Sequence, residues 1–243
     1  MSVVFPEHEP EVAIQSLDAG LEEVLCRDAL SFFVELQVGA ACDWSFYDWP
    51  ECVLTTVSHT RVVGRVLLDG LECLDLRNVD EPGEGDDSRF ICRVVDERLH
   101  QLQLERTQSG ARLIEQVDAT PAPLRLRRGD RWSGHEVYRC GDQTRGAEST
   151  QHRLVDGAFA VRVAGCGFRC LRQTWWELNR EGAGVILAEL YVADFGRSVF
   201  WQRYNGPTWR NYEALKGNPE REHEGATYRL WYDCIPDLAL TGP

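Results

Sequence analysis

Residues 190–205 read LYVADFGRSVFWQRYN, two apolar and aromatic runs joined by a short turn. Runs rich in valine and aromatic side chains are typical of β-strands. Gly196 supplies a residue that tolerates positive φ at the turn, so the segment predicts a β-hairpin. Upstream, residues 166–176 read CGFRCLRQTWW and predict another strand.

The same strand signature recurs along most of the chain. In the first half it covers residues 55–63, 65–68, 72–78, 90–96, 99–106 and 112–117. In the second half it covers 124–127, 133–138, 151–154, 158–164, 168–178, 184–192, 198–204 and 226–232. Residues 10–33 differ, because their apolar positions recur near the 3.6-residue period and predict one or two helices there.

A weak internal repeat relates the two halves. DGLECLDLRNV (69–79) resembles CGFRCLRQTWW (166–176), and a shift of 97 residues places Cys73 on Cys170 and Arg106 on Arg203. Upstream, Gly39 and Gly129 each end an alternating run before a tryptophan segment. A period of this length suits a duplicated domain better than a solenoid.

These patterns predict a mainly β protein of two tandem curved antiparallel sheets, open or half barrels, with an N-terminal helical segment. The proline-containing linker ATPAPL (119–124) is the predicted boundary. Residues 1–120 would form the helical segment and an acidic β half, and residues 121–243 an aromatic-rich β half.

Charge and cysteine content limit the function classes. Residues 1–120 carry 9 basic and 24 acidic side chains, net −15, and residues 121–243 carry 17 and 15, net +2, together −13. An acidic half repels phosphate backbones, so no nucleic-acid partner is expected. No apolar run is long enough for a membrane span, and the start of the chain lacks a signal-peptide pattern, so we expect a cytoplasmic protein. Most or all of the nine cysteines are therefore expected to be free thiols.

Three motifs in the second half resemble a known kind of domain. They are G-D-x-W at 129–132, V-x-x-A-G-x-G-F-R-C-L-R at 161–172 and Y-V-A-x-x-G-x-x-V-F at 191–200. They resemble bacterial open-barrel domains of uncharacterised function, which are similar in build to the periplasmic lipoprotein-carrier fold. The resemblance covers about residues 124–205 and, more faintly, 34–107. It implies a curved antiparallel sheet around a helix or an apolar cavity, and it carries over no functional residue.

Aromatic residues and arginine concentrate in the second half, which holds six of the eight tryptophans. Arginine stacked on aromatic rings can bind anionic or planar ligands, although such rings also fill ordinary cores. The predicted ligand-binding residues are Trp132, Trp201, Arg203, Tyr204 and Trp231.

No catalytic, cofactor or metal motif stands out in the sequence. NPEREHEG (218–225) groups one histidine with three glutamates but lacks ligand spacing, so no metal and no cofactor are expected. The leading interpretation is a non-enzymatic binding or interaction protein for a small hydrophobic ligand or a protein partner, with a homodimer allowed. The alternative is an enzyme that cyclises or isomerises a hydrophobic molecule inside a barrel, with Arg203, Tyr204, Glu189 or Asp194 near the mouth. A third interpretation is a dimeric structural component whose acidic half meets a basic partner.

Overall fold

The regular structure consists of β-strands wherever the structure describes the chain. The computed structural model describes residue 7 and residues 11–28, 34–48, 53–81, 87–108, 111–140, 143–145, 151–163, 165–178, 184–204, 209–210 and 226–232. The strands are β1 (Val12–Leu17), β2 (Glu23–Leu25), β3 (Ala41–Asp48), β4 (Leu54–Leu68), β5 (Leu71–Glu81), β6 (Ser88–Val95), β7 (Arg98–Gln108), β8 (Ala111–Ala119), β9 (Ala122–Pro123), β10 (Arg125–Arg127), β11 (Arg131–Gly134), β12 (Glu136–Cys140), β13 (Gln143–Arg145), β14 (Gln151–Val163), β15 (Cys166–Leu178), β16 (Gly184–Ala193), β17 (Ser198–Tyr204), β18 (Trp209–Arg210) and β19 (Ala226–Tyr232).

Antiparallel pairing joins most of these strands into one 17-stranded sheet. From β14 the pairing runs through β15, β16, β17 and β19 to β3, and then through β4, β5, β6, β7 and β8 to β12. Strands β1 and β11 both pair with β14. Only His135 separates β11 from β12, so one short segment pairs with β14 of the second half and with β8 of the first.

The prediction of a mainly antiparallel β protein is confirmed. The hairpin around Gly196 is also present, with φ of 91° at that glycine. Where the sequence predicted two sheets, the strands of both halves belong to one, because β19 pairs with β3 and β12 pairs with β8. The predicted division after residue 120 falls between β8 and β9, and it stays a prediction as a domain boundary.

The helical prediction for residues 10–33 is wrong over residues 11–28, the part that the structure describes. Val12–Leu17 is strand β1, which pairs with β14 so that Val12 lies opposite Val163 and Leu17 opposite Ala158. Both ends of β1 pack against the hydrophobic core. Helical spacing is a local signal, and here pairing with a strand about 150 residues away overrides it.

A small two-stranded sheet links the hairpin turns of the two halves. Strands β2 and β10 pair with each other, apart from the large sheet. The amide of Leu124 donates to the carbonyl of Glu97 at the β6–β7 turn, at 2.8 Å. The amide of Arg27 donates to the carbonyl of Gly196 at the β16–β17 turn, at 2.7 Å. Leu124 precedes β10 and Arg27 follows β2, so these bonds attach the small sheet to both turns.

One cluster of buried apolar side chains draws on both halves. Trp44, Val62 and Leu76 come from the first half, and Leu171 and Leu190 from the second, each at most 1% exposed. Burial of such side chains contributes roughly 1.5–3 kcal/mol apiece to folding. The two halves therefore share a core as well as a sheet.

The same backbone pattern occurs once in each half. The amide of Gly39 donates to the carbonyl of Val62, and the amide of Gly129 donates to the carbonyl of Val155, at 2.9 and 2.8 Å. Both glycines have positive φ, 88° and 89°. A β-bulge follows each valine, before Gly64 in β4 and before Gly157 in β14. A duplication would produce these parallels, and the internal repeat stays a prediction that agrees with them.

Candidate functional site

A cavity of about 60 Å³ lies between strands of the two halves. Its walls include Leu99 and Gln101 of β7, Trp132 of β11, Glu136 of β12 and Arg153 of β14. We call it the Arg153 cavity. Pockets for drug-sized ligands usually measure about 300–1,000 Å³, so this one has room for a few water molecules or for the head group of a ligand.

Strand register places Arg153 between two tryptophans. Arg153 lies opposite Trp132 on one side of β14 and opposite Trp175 on the other. Directly opposed residues in a sheet project to the same face, so the three side chains form one row. The guanidinium carbon of Arg153 lies 4.1 Å from the centre of the Trp175 ring, a cation–π contact.

Arg153 is a desolvated cation that forms no ion pair among the described residues. Its Nη1 is buried and has no hydrogen-bond acceptor among the described residues. Burial lowers the pKa of Arg153 to about 10, and the charge of Glu136 offsets part of that shift. No ion pair joins Arg153 to Glu136, whose Oε1 accepts a hydrogen bond from the hydroxyl of Tyr138.

Gln101 supplies a second buried donor to the Arg153 cavity. Its Nε2 has no acceptor among the described residues either. A buried donor that lacks an acceptor costs about 1–3 kcal/mol. An anionic or acceptor-rich group bound there would satisfy both.

Polar groups at the rim of the Arg153 cavity form a hydroxyl–imidazole–carboxylate chain. His135 Nδ1 lies 3.2 Å from Thr120 Oγ1, and His135 Nε2 lies 3.3 Å from Asp118 Oδ1. Thr120 and His135 also line the cavity. The side chains of His135 and Asp118 are about half exposed, so this chain is accessible to solvent.

The predicted site residues are only partly brought together. Trp132 lines the Arg153 cavity, whereas Trp201 lies opposite Leu190 and packs, half-buried, against the core. For the other three residues the structure describes the backbone, and their side chains lie outside the described part. Arg203 pairs with Ala188, which itself pairs with Trp175, so Arg203 falls on the Trp132–Arg153–Trp175 row.

The two remaining predicted residues occupy other register positions. Tyr204 pairs with Ala226, and Trp231 pairs with Phe200. Of the carboxylates named for the enzyme alternative, Glu189 is buried and lies 3.3 Å from the guanidinium of Arg172, while Asp194 is exposed in the β16–β17 turn. The acidic segment 218–225 lies outside the described residues.

Sequence reasoning missed Arg153, Gln101 and Glu136. The cavity that they line is assembled from β7, β11, β12 and β14, so no local pattern marks them as facing it. Two further histidines have polar partners. His59 Nδ1 lies 2.8 Å from a carboxylate oxygen of Asp43, and His152 Nδ1 lies 2.7 Å from the hydroxyl of Ser133.

Two features are absent from the described residues. These residues contain no group of three histidine, cysteine or acidic side chains close enough to hold a metal ion. They also contain no helix that is long and apolar enough to cross a membrane. Comparison of the chain with protein-family models, with curated proteins and with solved structures found no significant match to any of them.

Proposed function

We propose that this protein is a non-enzymatic binding module that takes a small ligand into the Arg153 cavity. The observation that carries the proposal is the pair of buried donors without acceptors, Arg153 Nη1 and Gln101 Nε2, in one cavity. Leu99, Ala122 and Trp132 supply apolar surface beside them. A few polar groups fixed within apolar walls are typical of ligand sites.

The size of the cavity limits the ligand. About 60 Å³ holds a head group, so the rest of the ligand would lie at the opening, against the half-buried ring of Trp132. A ligand with an apolar or aromatic body fits that surface, since aromatic rings gain from stacking on tryptophan. The ligand is thus small, with one polar end and one hydrophobic end.

Filling the cavity tests the proposal. The variant Ala122→Leu adds three carbons at a cavity-lining position, and Ala41→Leu adds them at an exposed position of β3. Benzoate and benzyl alcohol serve as probes, and ligand-detected NMR reports their binding. We expect at least one probe to bind both the native protein and Ala41→Leu. The affinity of that probe for Ala122→Leu should be at least tenfold lower. Equal binding to all three proteins, or none, contradicts the proposal.

A second candidate function, catalysis, is favoured by the Thr120–His135–Asp118 chain at the rim. An imidazole between a hydroxyl and a carboxylate can act as a general base. The Thr120 hydroxyl already accepts a hydrogen bond from the amide of His135, which ranks this candidate second. Hydrolysis of p-nitrophenyl acetate that is lost in His135→Gln would favour it, and equal rates in both proteins would dismiss it.

A further inference from the structure

We infer that the group recognised inside the Arg153 cavity is a carboxylate, bound by Arg153 and Gln101. The inference rests on the proposed binding function and names the chemical class of its ligand. Arg153 contrasts with two other arginines of this chain in its charge partners. Arg89 and Arg172 each hold an aspartate through two hydrogen bonds, Asp75 and Asp156 respectively.

Arg153 differs from these two arginines, because no carboxylate among the described residues forms an ion pair with it. Glu136, whose Oε1 accepts the Tyr138 hydroxyl, offsets only part of the effect of burial. Burying a guanidinium without an ion-pair partner is costly, because the charge loses its hydration. The lowered pKa of Arg153 has the same cause. A bound anion would remove this cost.

The geometry selects a planar anion. One face of the guanidinium is covered by the Trp175 ring at 4.1 Å, which leaves the N–H edge for hydrogen bonding in the plane. A carboxylate matches that edge with two oxygens in one plane. Its second oxygen, or the same one, is then available to Gln101 Nε2, the other donor of the cavity.

Size and polarity agree with this assignment. A carboxylate has three heavy atoms and suits a cavity of about 60 Å³, whereas a phosphoryl group is larger and tetrahedral. Leu99, Ala119 and Trp132 give the cavity apolar surface, and the carboxylate of Glu136, whose Oε1 accepts the Tyr138 hydroxyl, also lines it. Small aromatic or short aliphatic carboxylic acids are therefore the ligand class.

Matched probes test the inference. Benzoate, benzyl alcohol and phenylphosphonate share a ring and differ in the head group, and titration calorimetry gives their affinities. We expect benzoate to bind the native protein at least tenfold more tightly than either of the others. Arg153→Gln should bind benzoate only as tightly as it binds benzyl alcohol. Its affinity for benzyl alcohol should differ less than threefold from that of the native protein. Arg162→Gln, at an exposed position of the same strand, is the control and should behave as the native protein does.

The outcomes separate the inference from the function on which it rests. If benzyl alcohol binds as tightly as benzoate and Ala122→Leu blocks both, the binding function stands and the carboxylate assignment is wrong. If phenylphosphonate binds best, the head group is a phosphoryl group and the assignment is again wrong. If no probe binds, both fail. Arg153→Lys guards against misfolding of the glutamine variant, and it should retain part of the preference for benzoate because it keeps the charge without the planar fork.

Discussion

Arg153 and Arg172 both hold a guanidinium carbon over an aromatic ring, at 4.1 Å from the centre of Trp175 and 4.2 Å from the centre of Phe159. They differ in charge partners. Arg172 lies 2.8 Å from Asp156 and 3.3 Å from Glu189, while Arg153 has no carboxylate in contact among the described residues. Arg172 is thus a structural ion-pair residue, and Arg153 is the arginine that we propose binds a ligand.

This contrast predicts opposite effects on stability. Arg172→Met should lower the free energy of unfolding by about 3–5 kcal/mol, because it removes the guanidinium that pairs with two carboxylates whose side chains are only 6% exposed. Arg153→Met should change it by less than about 1 kcal/mol or raise it, because a desolvated cation is removed. Urea titration of the two variants gives both values. A loss of several kcal/mol in Arg153→Met would mean that Arg153 is structural and not a ligand-binding residue.

Gly64 and Gly157 provide a second matched pair, since each follows the β-bulge of its half. A Cβ on Gly157 would lie 3.0 Å from the buried ring of Phe159, whereas a Cβ on Gly64 would meet no atom within 4 Å. Gly157→Ala should therefore cost about 1–3 kcal/mol of stability by overpacking. Gly64→Ala should be neutral or add up to about 1 kcal/mol by stiffening the unfolded chain. Thermal melts of both variants measure the difference, and equal melting temperatures would contradict the packing described around Phe159.

Asp28 should make stability depend on pH. It is fully buried and accepts a hydrogen bond from the amide of Ser198, and burial raises its pKa from 3.8 to about 6. A carboxyl whose pKa is raised by folding contributes stability that is complete below its unfolded pKa and is lost as pH rises through the folded pKa. At neutral pH this pKa shift lowers the free energy of unfolding by about 3 kcal/mol, because the buried carboxyl is then ionised.

The variant Asp28→Asn isolates that contribution, because it stays neutral and keeps an oxygen for the Ser198 amide. We expect the variant to be more stable than the native protein at pH 7.5, by up to about 3 kcal/mol, and the difference to shrink as pH falls from 7 to 4. Denaturant titrations at several pH values measure it. A constant difference across this range would show that Asp28 does not titrate there.

Buried thiols should resist alkylation in the folded protein. Burial raises the pKa of Cys92 to about 12 and the pKa values of Cys26 and Cys170 well above their usual range. Cys140 and Cys166 are only half-buried. Because the thiolate is the reactive form, iodoacetamide should modify Cys140 and Cys166 first among the seven described cysteines. Peptide mass spectrometry against time gives the order, and early labelling of Cys170 would contradict the packing of β15.

Strand positions could be predicted from the sequence because strand signals are local. Ser198–Tyr204 and Ala226–Tyr232 have the bounds that alternation and turn residues indicated, and Gly196 takes the expected positive φ. The helix predicted near Leu17 is not formed, because Leu17 lies in a strand and pairs with Ala158, which is distant in the chain. Local spacing carries no information about such a partner.

Less of the candidate site could be predicted from the sequence. Trp132 was identified by residue type, since tryptophan beside arginine suggests binding. Arg153 and Gln101 were not, because they face one cavity only after β7, β11 and β14 are assembled. An arginine in a strand forms an ion pair only if long-range contacts bring a carboxylate close to it, as Arg172 and Arg153 illustrate.

A crystal structure with 4-bromobenzoate tests most directly whether a carboxylate occupies the Arg153 cavity. Anomalous scattering from bromine locates the ligand without ambiguity. We expect the bromine at the cavity opening beside Trp132 and a carboxylate oxygen within hydrogen-bonding distance, about 3.2 Å, of Arg153 Nη1. A cavity that holds only water at saturating ligand, with bromine elsewhere or absent, would contradict the account.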